Sequence, residues 1–571
     1  MQAEHGVPEM LRNSGEWAPI SGLMGWRAIR SFWKKVMNIM SRNERAGCNL
    51  SDGMMLMLLS VCLAFAGAQS ASASSPDIVI VVADDLGFSD FGCYGSEIQT
   101  PNIDHLAGNG IRFSQYLSEN KCNPSRTSLM TGQYYIHGYN VGKTITIPEG
   151  LKAAGYRSYI SGKWDVVDDT PGGPLKRGFD HFFGNIRGCG SQFAPLGLQR
   201  DGKDATHEWL ENKDFYYTHA ITDNAIRYIE QTPDETPLFL LVTYTAPHWP
   251  MHALPKDIEK YKGRYAEGWD VLRKQRLKRM KAMGLVPKDT PLPSRDQKGT
   301  AWADAQNKEW EQRRMEVYAA MIDSVDQGVG KLVKQLKQAG RFENTLFLVL
   351  SDNGASAETY SADQTGRFLN AQMRDGGAMR VGSLPTIMPG AEDTWQSVGP
   401  NWAFLSSTPF RMYKSFEHQG GHAVPLIMHW PGVIENGGRI SDELCHVIDF
   451  LPTVLDAAGV PYPETFDGRT IDSAAGKTVL PILKDKPRAG HDRLFWGAIN
   501  GKAIRQGSWK LVRAHQNPWE LYNMDEDRTE LNDLAEQYPE KVLQLNREWE
   551  TWRDSVQLPQ AWLDPKLFSN Q

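Results

Sequence analysis

Five mainly apolar runs at residues 78–82, 156–160, 238–242, 346–350 and 424–429 predict strands, and those at 78–82, 238–242 and 346–350 contain apolar residues only. An unbroken run of this length is typical of a strand that is buried on both faces of a parallel sheet. Amphipathic segments at residues 147–154, 218–231 and 308–338 predict helices between the runs. This alternation predicts an α/β fold with a mostly parallel sheet flanked by helices.

The C-terminal part of the chain has a different pattern. Residues 491–515 predict a β-hairpin with Gly507 near its turn. A helix is predicted over residues 539–556, and its apolar face comprises Val542, Leu545, Trp549, Trp552 and Val556. We therefore expect a short antiparallel sheet on which this helix packs.

An apolar segment without charges occupies residues 54–66. It is shorter than the roughly 20 residues that a membrane-spanning helix needs. Small residues at 66–68 and 71–73 follow it in the spacing that signal peptidase prefers. We predict a signal peptide region at residues 37–73, export to a periplasm or the extracellular space, and no stable membrane span. Residues 1–36 then form an upstream extension, and an uncleaved N-terminal anchor is the alternative.

The overall charge limits the partners. The chain has 571 residues and a formal net charge of -6, from 62 Lys+Arg and 68 Asp+Glu. This balance excludes a general nucleic-acid binder, which would carry a basic stripe, so recognition of an anion has to be local. Four cysteines follow the export segment, namely Cys93, Cys122, Cys189 and Cys445. They are too few for a disulfide framework; one pair could bridge, but its identity stays open.

Oxygen-bearing side chains follow two of the apolar runs. Asp84 and Asp85 come after the first run, and Asp352 and Asn353 come after the fourth. Ligands of open α/β sheets bind beyond the carboxyl ends of the strands, and oxygen ligands suit Ca²⁺ or Mg²⁺ rather than Zn²⁺. Asp and Asn are also common turn residues after a strand. Two such pairs in the same structural position favour a metal site.

The segment CNPSRTSLMTG at residues 122–132 carries a candidate nucleophile. Pro124 fits the first position of a helix and Gly132 fits the position just past its end, so we predict a short helix with Cys122 immediately before it. The N-terminus of a helix favours an anion, and Arg126 adds a positive charge. The alternative is that Cys122 is a buried structural thiol.

This segment resembles the signature Cys-x-Pro-Ser-Arg, followed by Thr-Gly, of the type I, formylglycine-dependent sulfatases of the alkaline phosphatase superfamily. Further matches are DDLGFSD at 84–90, GKW at 162–164, APHWP at 246–250, SDNGASAE at 351–358 and STPFRMYK at 407–414. The resemblance covers residues 77–560 and is greatest to bacterial arylsulfatases. It implies an alkaline phosphatase-like catalytic domain at residues 77–462 and a smaller C-terminal α+β subdomain at residues 463–571.

The resemblance also implies a chemistry. Cys122 would be oxidised to formylglycine (3-oxoalanine) by a formylglycine-generating enzyme, and the hydrated aldehyde would attack the sulfur of a sulfate ester. One Ca²⁺ ion would be held by Asp84, Asp85, Asp352, Asn353 and the modified Cys122. The side chains implied to neutralise the sulfate are Arg126, Lys163 and Lys414, and His248 would protonate the leaving oxygen. Lys163 and Lys414 could instead be solvated surface cations, and His248 could simply be packed.

The sequence departs from the family pattern at several positions. Asp165 stands where the family usually has a histidine that contacts the diol; an aspartate can act as a base, but it repels sulfate and cannot donate a hydrogen bond while ionised. Asn123 stands where a small residue is common, which could weaken recognition by the maturing enzyme. Gln133 and Gln419 stand where Arg and Glu are frequent, and His137 and His422 could line the pocket or be structural. We expect an altered rate or substrate rather than inactivity.

The resemblance therefore implies a sulfuric ester hydrolase that releases sulfate from a small sulfated carbohydrate or aryl sulfate. The alternatives are a phosphate or phosphonate ester hydrolase of the same superfamily, and a catalytically weak protein that binds sulfated glycans. Residues 255–310 and 359–410 are long insertions that we expect to shape the substrate pocket. Within the second insertion, Trp395 and Trp402 could stack on a sugar or aryl group, or pack in the core.

Overall fold

A computed structural model describes residues 75–166, 172–188, 190–295, 299–363, 372–497, 501–515 and 517–555. The predicted upstream extension at 1–36, the predicted signal peptide region at 37–73, Cys189 and Val556 lie outside these ranges. Within the described ranges, no helix has both the length and the apolar character that crossing a membrane requires. The other three cysteines of the predicted mature chain, Cys93, Cys122 and Cys445, are free thiols.

A ten-stranded mixed sheet forms the centre of the protein. The strands of the chain are β1 (Asp77–Ala83), β2 (Ile111–Phe113), β3 (Tyr116–Leu117), β4 (Arg157–Gly162), β5 (His181–Asn185), β6 (Leu198–Arg200), β7 (Lys203–Asp204), β8 (Leu238–Thr243), β9 (Thr345–Ser351), β10 (Arg380–Val381), β11 (Thr394–Trp395), β12 (Leu426–His429), β13 (Arg439–Ser441), β14 (Cys445–His446), β15 (Thr465–Phe466), β16 (Arg469–Thr470), β17 (Arg493–Trp496), β18 (Gly501–Gln506), β19 (Trp509–Ala514) and β20 (Glu520–Asn523). The order in the central sheet is β13-β2-β12-β9-β1-β8-β4-β5-β6-β7. Its five inner strands from β9 to β5 are parallel, which confirms the predicted sheet.

Helices cover both faces of this sheet. They are α1 (Pro101–Asn109), α2 (Cys122–Thr131), α3 (Tyr135–Gly138), α4 (Ile147–Leu151), α5 (Gly173–Lys176), α6 (His207–Leu210), α7 (Tyr217–Gln231), α8 (Pro255–Glu259), α9 (Gly268–Met283), α10 (Lys308–Gln338), α11 (Pro400–Ser406), α12 (Gln419–His422), α13 (Phe450–Ala457), α14 (Leu480–Leu483) and α15 (Pro539–Asp554). The predicted helices at 218–231 and 308–338 are confirmed as α7 and α10, and the segment predicted at 147–154 forms α4 followed by a 3₁₀ turn.

Strand β1 shows why its apolar run is unbroken. Val79 and Val81 pack into the core on the side of α7 and α10, whereas Ile78 and Ile80 pack into the core on the side of α4 and α13. Because successive side chains of a strand point to opposite faces, a strand covered on both sides needs an apolar residue at every position.

One strand runs against the parallel direction. Strand β12, which corresponds to the fifth apolar run, pairs antiparallel with both β9 and β2. Its N-terminal end therefore lies at the edge where β1 and β9 end, and the loop that carries Lys414 enters the same edge. The run itself was predicted, but an apolar pattern contains no information about strand direction.

The C-terminal part confirms the predicted antiparallel sheet and helix. Strands β17 to β20 pair antiparallel, and Gly507 has a φ of 57° in the turn between β18 and β19. Helix α15 buries Leu545 and Trp549 against the sheet residues Ile504 and Leu511. The helix is therefore part of a core, as expected.

The two tryptophans of the 359–410 insertion are both buried. Trp402 is 0% exposed and packs edge-to-face on Trp269 with ring centroids 5.1 Å apart. Its indole nitrogen donates to the carbonyl oxygen of Glu311 at 2.9 Å. Trp395 is 2% exposed. Of the two alternatives for these residues, the structure supports core packing.

A buried ion pair joins strand β19 to the segment that follows β20. Lys510 Nζ lies 2.6 Å from Glu530 Oε1, and both side chains are 0% exposed. We expect Lys510→Met to lower the free energy of unfolding by about 3–5 kcal/mol, because it leaves a buried carboxylate without its cation. Chemical denaturation measures this loss.

The matched control is Lys262→Met. Lys262 forms an exposed pair with Glu259 at 3.1 Å, and such a pair contributes at most about 1 kcal/mol. A loss of less than about 1 kcal/mol in Lys510→Met would contradict the structural role of the buried pair.

Candidate active site

Cys122 lies beside the edge of the sheet at which the parallel strands end. It is the first residue of α2, which Gly132 ends with a φ of 63°. The prediction that Cys122 precedes the helix was wrong by one position, because the first turn of a helix needs no N–H donors and can begin before Pro124. Its Sγ lies 3.2 Å from Asp84 Oδ1 and 3.5 Å from Asp85 Oδ1. Burial and the Asp84 carboxylate raise the pKa of this thiol well above its usual range, so the sulfur is protonated.

The register of the sheet brings the two acidic pairs together. Ala83 at the end of β1 pairs with Ser351 at the end of β9, so Asp84 and Asp352 leave neighbouring strands at the same level. The backbone N–H of Asp85 donates to Asp352 Oδ1 at 3.2 Å, and Asn353 Nδ2 donates to Asp85 Oδ1 at 2.7 Å. All four side chains of the predicted metal set from these strands are therefore adjacent and buried.

Each carboxylate faces one cation. Lys163 Nζ donates to Asp84 Oδ2 at 2.9 Å, and Lys414 Nζ donates to Asp85 Oδ2 at 2.8 Å. Arg126 Nε donates to Asp352 Oδ2 at 2.9 Å. The three cations that the resemblance implied as sulfate ligands thus lie in the same site.

Burial and ion pairing act in opposite directions on these groups. Burial alone would lower the pKa of Lys163 and of Lys414, but the facing carboxylates raise both pKa values well above the usual range. Burial likewise opposes ionisation of Asp84, yet Lys163 and the other nearby cations lower its pKa. Both lysines and Asp84 are therefore charged, and the two lysines are not solvated surface cations.

His248 stands between two of these charged groups. Its Nδ1 lies 2.8 Å from the carbonyl oxygen of Trp249, which can only accept, so Nδ1 carries a proton. Its Nε2 lies 3.2 Å from Lys414 Nζ and 3.3 Å from Asp85 Oδ2. The ring is 4% exposed and aimed at the acidic cluster by both contacts.

Asp165 reaches the same cluster through Lys163. It has a left-handed φ of 49°, and its Oδ2 lies 3.2 Å from Lys163 Nζ. Lys163 therefore bridges Asp84 and Asp165. The carboxylate at this position is part of the site and is 14% exposed.

Oxygen atoms of the aspartates and of Asn353 supply most of the donors at this site and suit a hard cation, whereas Cys122 and His248 offer softer sulfur and nitrogen atoms. Asp84, Asp85, Cys122 and His248 each offer a ligand atom within 4.8 Å of the others. Beside them, the Oδ1 atom of Asn353 is buried and accepts no hydrogen bond from any described residue. An unsatisfied buried oxygen next to carboxylates is costly unless a cation or water occupies the space. The residues therefore fit a metal with oxygen preference.

Other residues singled out from the sequence lie in different surroundings. His422 stacks on Trp496 and its Nε2 lies 3.0 Å from Lys510 Nζ, while His137 stacks on Trp552. Both histidines thus contact the C-terminal part of the chain. Of the two alternatives, a structural role fits them better than a place in the pocket. Gln133 Nε2 donates to the carbonyl oxygen of Ser473 at 2.7 Å. Gln419 is buried, and Asn123 is exposed at the start of α2.

Two side chains beside the site were not singled out from the sequence. Trp249 follows His248, and its ring lies 4.4 Å from the imidazole. Glu358 accepts a hydrogen bond from the Trp249 indole nitrogen. Both belong to matched motif segments, but nothing in a single sequence shows that these two segments meet.

Comparison with known proteins agrees with the geometry. The family model Sulfatase matches residues 76–460, and a model described as N-sulphoglucosamine sulphohydrolase, C-terminal, matches residues 410–554. An uncharacterised sulfatase of Schizosaccharomyces pombe is 31% identical over 535 residues, covering 84% of this chain and 94% of the relative. An arylsulfatase of Klebsiella aerogenes is 32% identical over 451 residues, covering 73% of this chain and 92% of the relative.

A solved structure shares the fold. The crystal structure of Ps i-CgsB in complex with k-i-k-neocarrahexaose aligns with a TM-score of 0.60 and 24% identity, covering 87% of this chain and 96% of the other. The alkaline phosphatase-like fold expected from the sequence is thereby confirmed, and the enzyme class follows from the family match. With a family model that spans the described sheet and every charged residue of the cluster, this chain belongs to the sulfatase family.

Proposed function

We propose that this sulfatase releases sulfate from a sulfated carbohydrate or aryl sulfate, using a formylglycine derived from Cys122 and one Ca²⁺ ion. The observation that carries the proposal is the position of Cys122. Its Sγ lies 3.2 Å from Asp84 Oδ1, in a cluster where three carboxylates are each paired with a cationic side chain. A thiol with a raised pKa is a poor nucleophile, which supports chemical conversion of this residue before catalysis.

The proposed metal ligands are Asp84, Asp85, Asp352, Asn353 and the modified Cys122. The orphaned Oδ1 of Asn353 supports this set, as does the absence of sulfur and imidazole from four of the five positions. When bound, Ca²⁺ supplies positive charge that polarises the sulfate ester and favours ionisation of a hydroxyl on the modified residue.

The charge balance explains how the protein side chains select an anion. Asp84, Asp85 and Asp352 face Lys163, Lys414 and Arg126, so these six groups cancel in formal charge. Asp165, which contacts Lys163, adds one further negative charge, and a divalent cation added to these seven groups still leaves a net positive charge where the sulfate binds. The ammonium groups of Lys163 and Lys414 and the guanidinium group of Arg126 then bind the sulfate oxygens as well as their carboxylate partners, and so neutralise the sulfate.

His248 is the proposed donor to the leaving oxygen. Since Nδ1 is bound to the Trp249 carbonyl, the second proton of an imidazolium would sit on Nε2. That atom faces Asp85 Oδ2 at 3.3 Å, and the carboxylate stabilises the proton until the alcohol leaves.

Maturation and location remain part of the proposal. We propose that a formylglycine-generating enzyme converts Cys122 and that the protein is exported to a periplasm or the extracellular space. Asn123, next to the cysteine, is exposed at the start of α2, where a maturing enzyme would have to read the sequence. The export signal is proposed from residues 37–73 alone.

Mass spectrometry of the Cys122 peptide and a substrate panel test the proposed function. We expect formylglycine in the peptide, and sulfate release from aryl sulfates or sulfated monosaccharides. An unmodified cysteine together with tight binding of sulfated sugars would favour the glycan-binding alternative. Faster turnover of phosphate or phosphonate esters than of every sulfate ester would favour the other hydrolase.

The aspartate at position 165, where the family usually has a histidine, can be tested by substitution. If its carboxylate acts as a base towards the nucleophile, Asp165→Asn should lower kcat by about 10²-fold or more, since general base catalysis contributes about 10²–10⁴-fold. Asp165→His should retain turnover. Initial rates of sulfate release, measured on protein whose formylglycine content has been verified, compare the two variants. Unchanged turnover in Asp165→Asn would contradict a base role.

A further inference from the structure

An aromatic wall with one carboxylate lies beside His248. Trp249 packs edge-on against Tyr360, with ring centroids 4.9 Å apart, and lies 6.0 Å from Trp395. Tyr360 and Trp395 are buried, whereas Trp249 is half-buried and Glu358 is exposed. The two buried rings therefore support Trp249, and solvent can reach Trp249 and Glu358.

Three donors hold Glu358 against this wall. The Trp249 indole nitrogen, the Ser356 hydroxyl at 3.1 Å and the Tyr360 hydroxyl at 3.3 Å all donate to Oε2. None of these three bonds reaches Oε1. An ionised carboxylate has about four acceptor positions, so Glu358 can accept a further hydrogen bond from a ligand.

The charge on Glu358 is coupled to the reaction site. Desolvation opposes its ionisation, but Lys414 and His248 outweigh this effect and lower the pKa of Glu358 to about 2. The Trp249 ring lies 4.4 Å from His248 and its indole nitrogen donates to Glu358, so the Glu358 carboxylate lies on the side of His248, the proposed donor to the leaving oxygen. Lys121 is a cation near the same side, and it interacts with both Glu358 and Glu417.

We propose that Trp249 and Glu358 bind the alcohol part of the substrate, and that they select a monosulfated, hydroxyl-bearing sugar over a polysulfated one. This inference rests on the proposed function, because it takes Cys122 as the place where the sulfate ester reacts. The indole contributes an apolar surface to the sugar ring. Glu358 accepts hydrogen bonds from sugar hydroxyls and repels a second sulfate group.

Binding to a non-reacting protein tests the proposal independently of turnover. The full chain with Cys122→Ala is titrated calorimetrically, in the presence of Ca²⁺, with monosulfated hexoses covering each ester position and with the matching disulfates. We expect the best monosulfate to bind at least about tenfold more tightly than its disulfate. Adding Glu358→Gln should reduce this ratio at least about fivefold, since one negative charge is removed.

Two further variants make the result specific. Asp363→Asn removes an exposed carboxylate from the segment that follows Tyr360 and should leave the ratio unchanged. Trp249→Leu should weaken every sugar about tenfold, as expected when an aromatic anchor is lost. An unchanged ratio in Glu358→Gln, or no measurable binding of any sugar, would overturn the proposal. Turnover of an aryl sulfate by the matured wild-type enzyme would still support the proposed function in either case.

Discussion

Cys122→Ala is expected to lower kcat for sulfate release by at least about 10⁴-fold, a loss of the size seen when a covalent nucleophile is removed. The reason is positional as well as chemical. Helix α2 begins at this residue and places its Sγ 3.2 Å and 3.5 Å from the carboxylates of Asp84 and Asp85. Initial rates with an aryl sulfate, on protein whose metal content matches that of the wild type, measure the loss.

The other described thiols supply matched controls. Cys93 and Cys445 are also buried and free, but neither belongs to the group of ligand atoms around Asp84 and Asp85. The Cys445 sulfur instead has a polar contact with Arg488 Nη1 at 3.2 Å. Cys93→Ala and Cys445→Ala should keep turnover within about threefold of the wild type. Turnover in Cys122→Ala above about a tenth of the wild-type rate would refute the proposed nucleophile.

The fold was predictable where burial alone decides the sequence. Strands β1 and β9 need apolar residues on both faces, and this requirement leaves an unbroken run that a single sequence reveals. The antiparallel direction of β12 was not predictable, because an apolar run reads the same whichever way the strand runs. The burial of Trp402 also depends on partners from a distant segment, Trp269 and Trp302, which no local pattern identifies.

The site was predictable to a similar extent. Parallel strands end at one edge, so Asp84 and Asp352 could be placed together from their positions after two apolar runs. The resemblance supplied Lys163, Lys414 and His248. Their pairing with particular carboxylates was not predictable, because it depends on three loops from separate parts of the chain. Glu358 was missed for the same reason, since its role is visible only where it meets Trp249.

Asp84→Asn is expected to lower kcat/KM for sulfate release by about 10³-fold, which corresponds to about 4 kcal/mol of transition-state stabilisation. Asp84 is 0% exposed, and each of its two carboxylate oxygens has its own contact, whereas an amide has one oxygen and no charge. Its Oδ2 accepts from Lys163 at 2.9 Å, and its Oδ1 faces the Cys122 sulfur. The variant therefore loses a negatively charged oxygen proposed to bind the metal, and the buried Lys163 ammonium keeps only the partly exposed Asp165 carboxylate as its partner.

A second buried aspartate on the same loop separates loss of the metal from loss of stability. Asp90 accepts from Arg276 Nη1 at 2.6 Å and from the Tyr318 hydroxyl at 2.9 Å. Asp90→Asn breaks an equally buried ion pair, so both variants should unfold more easily than the wild type in a denaturant titration. Only Asp84→Asn should also lose bound metal, measured as moles of calcium for each mole of folded protein. If Asp84→Asn retains its metal and its turnover, this carboxylate is structural, and the proposed calcium site is wrong at its central ligand.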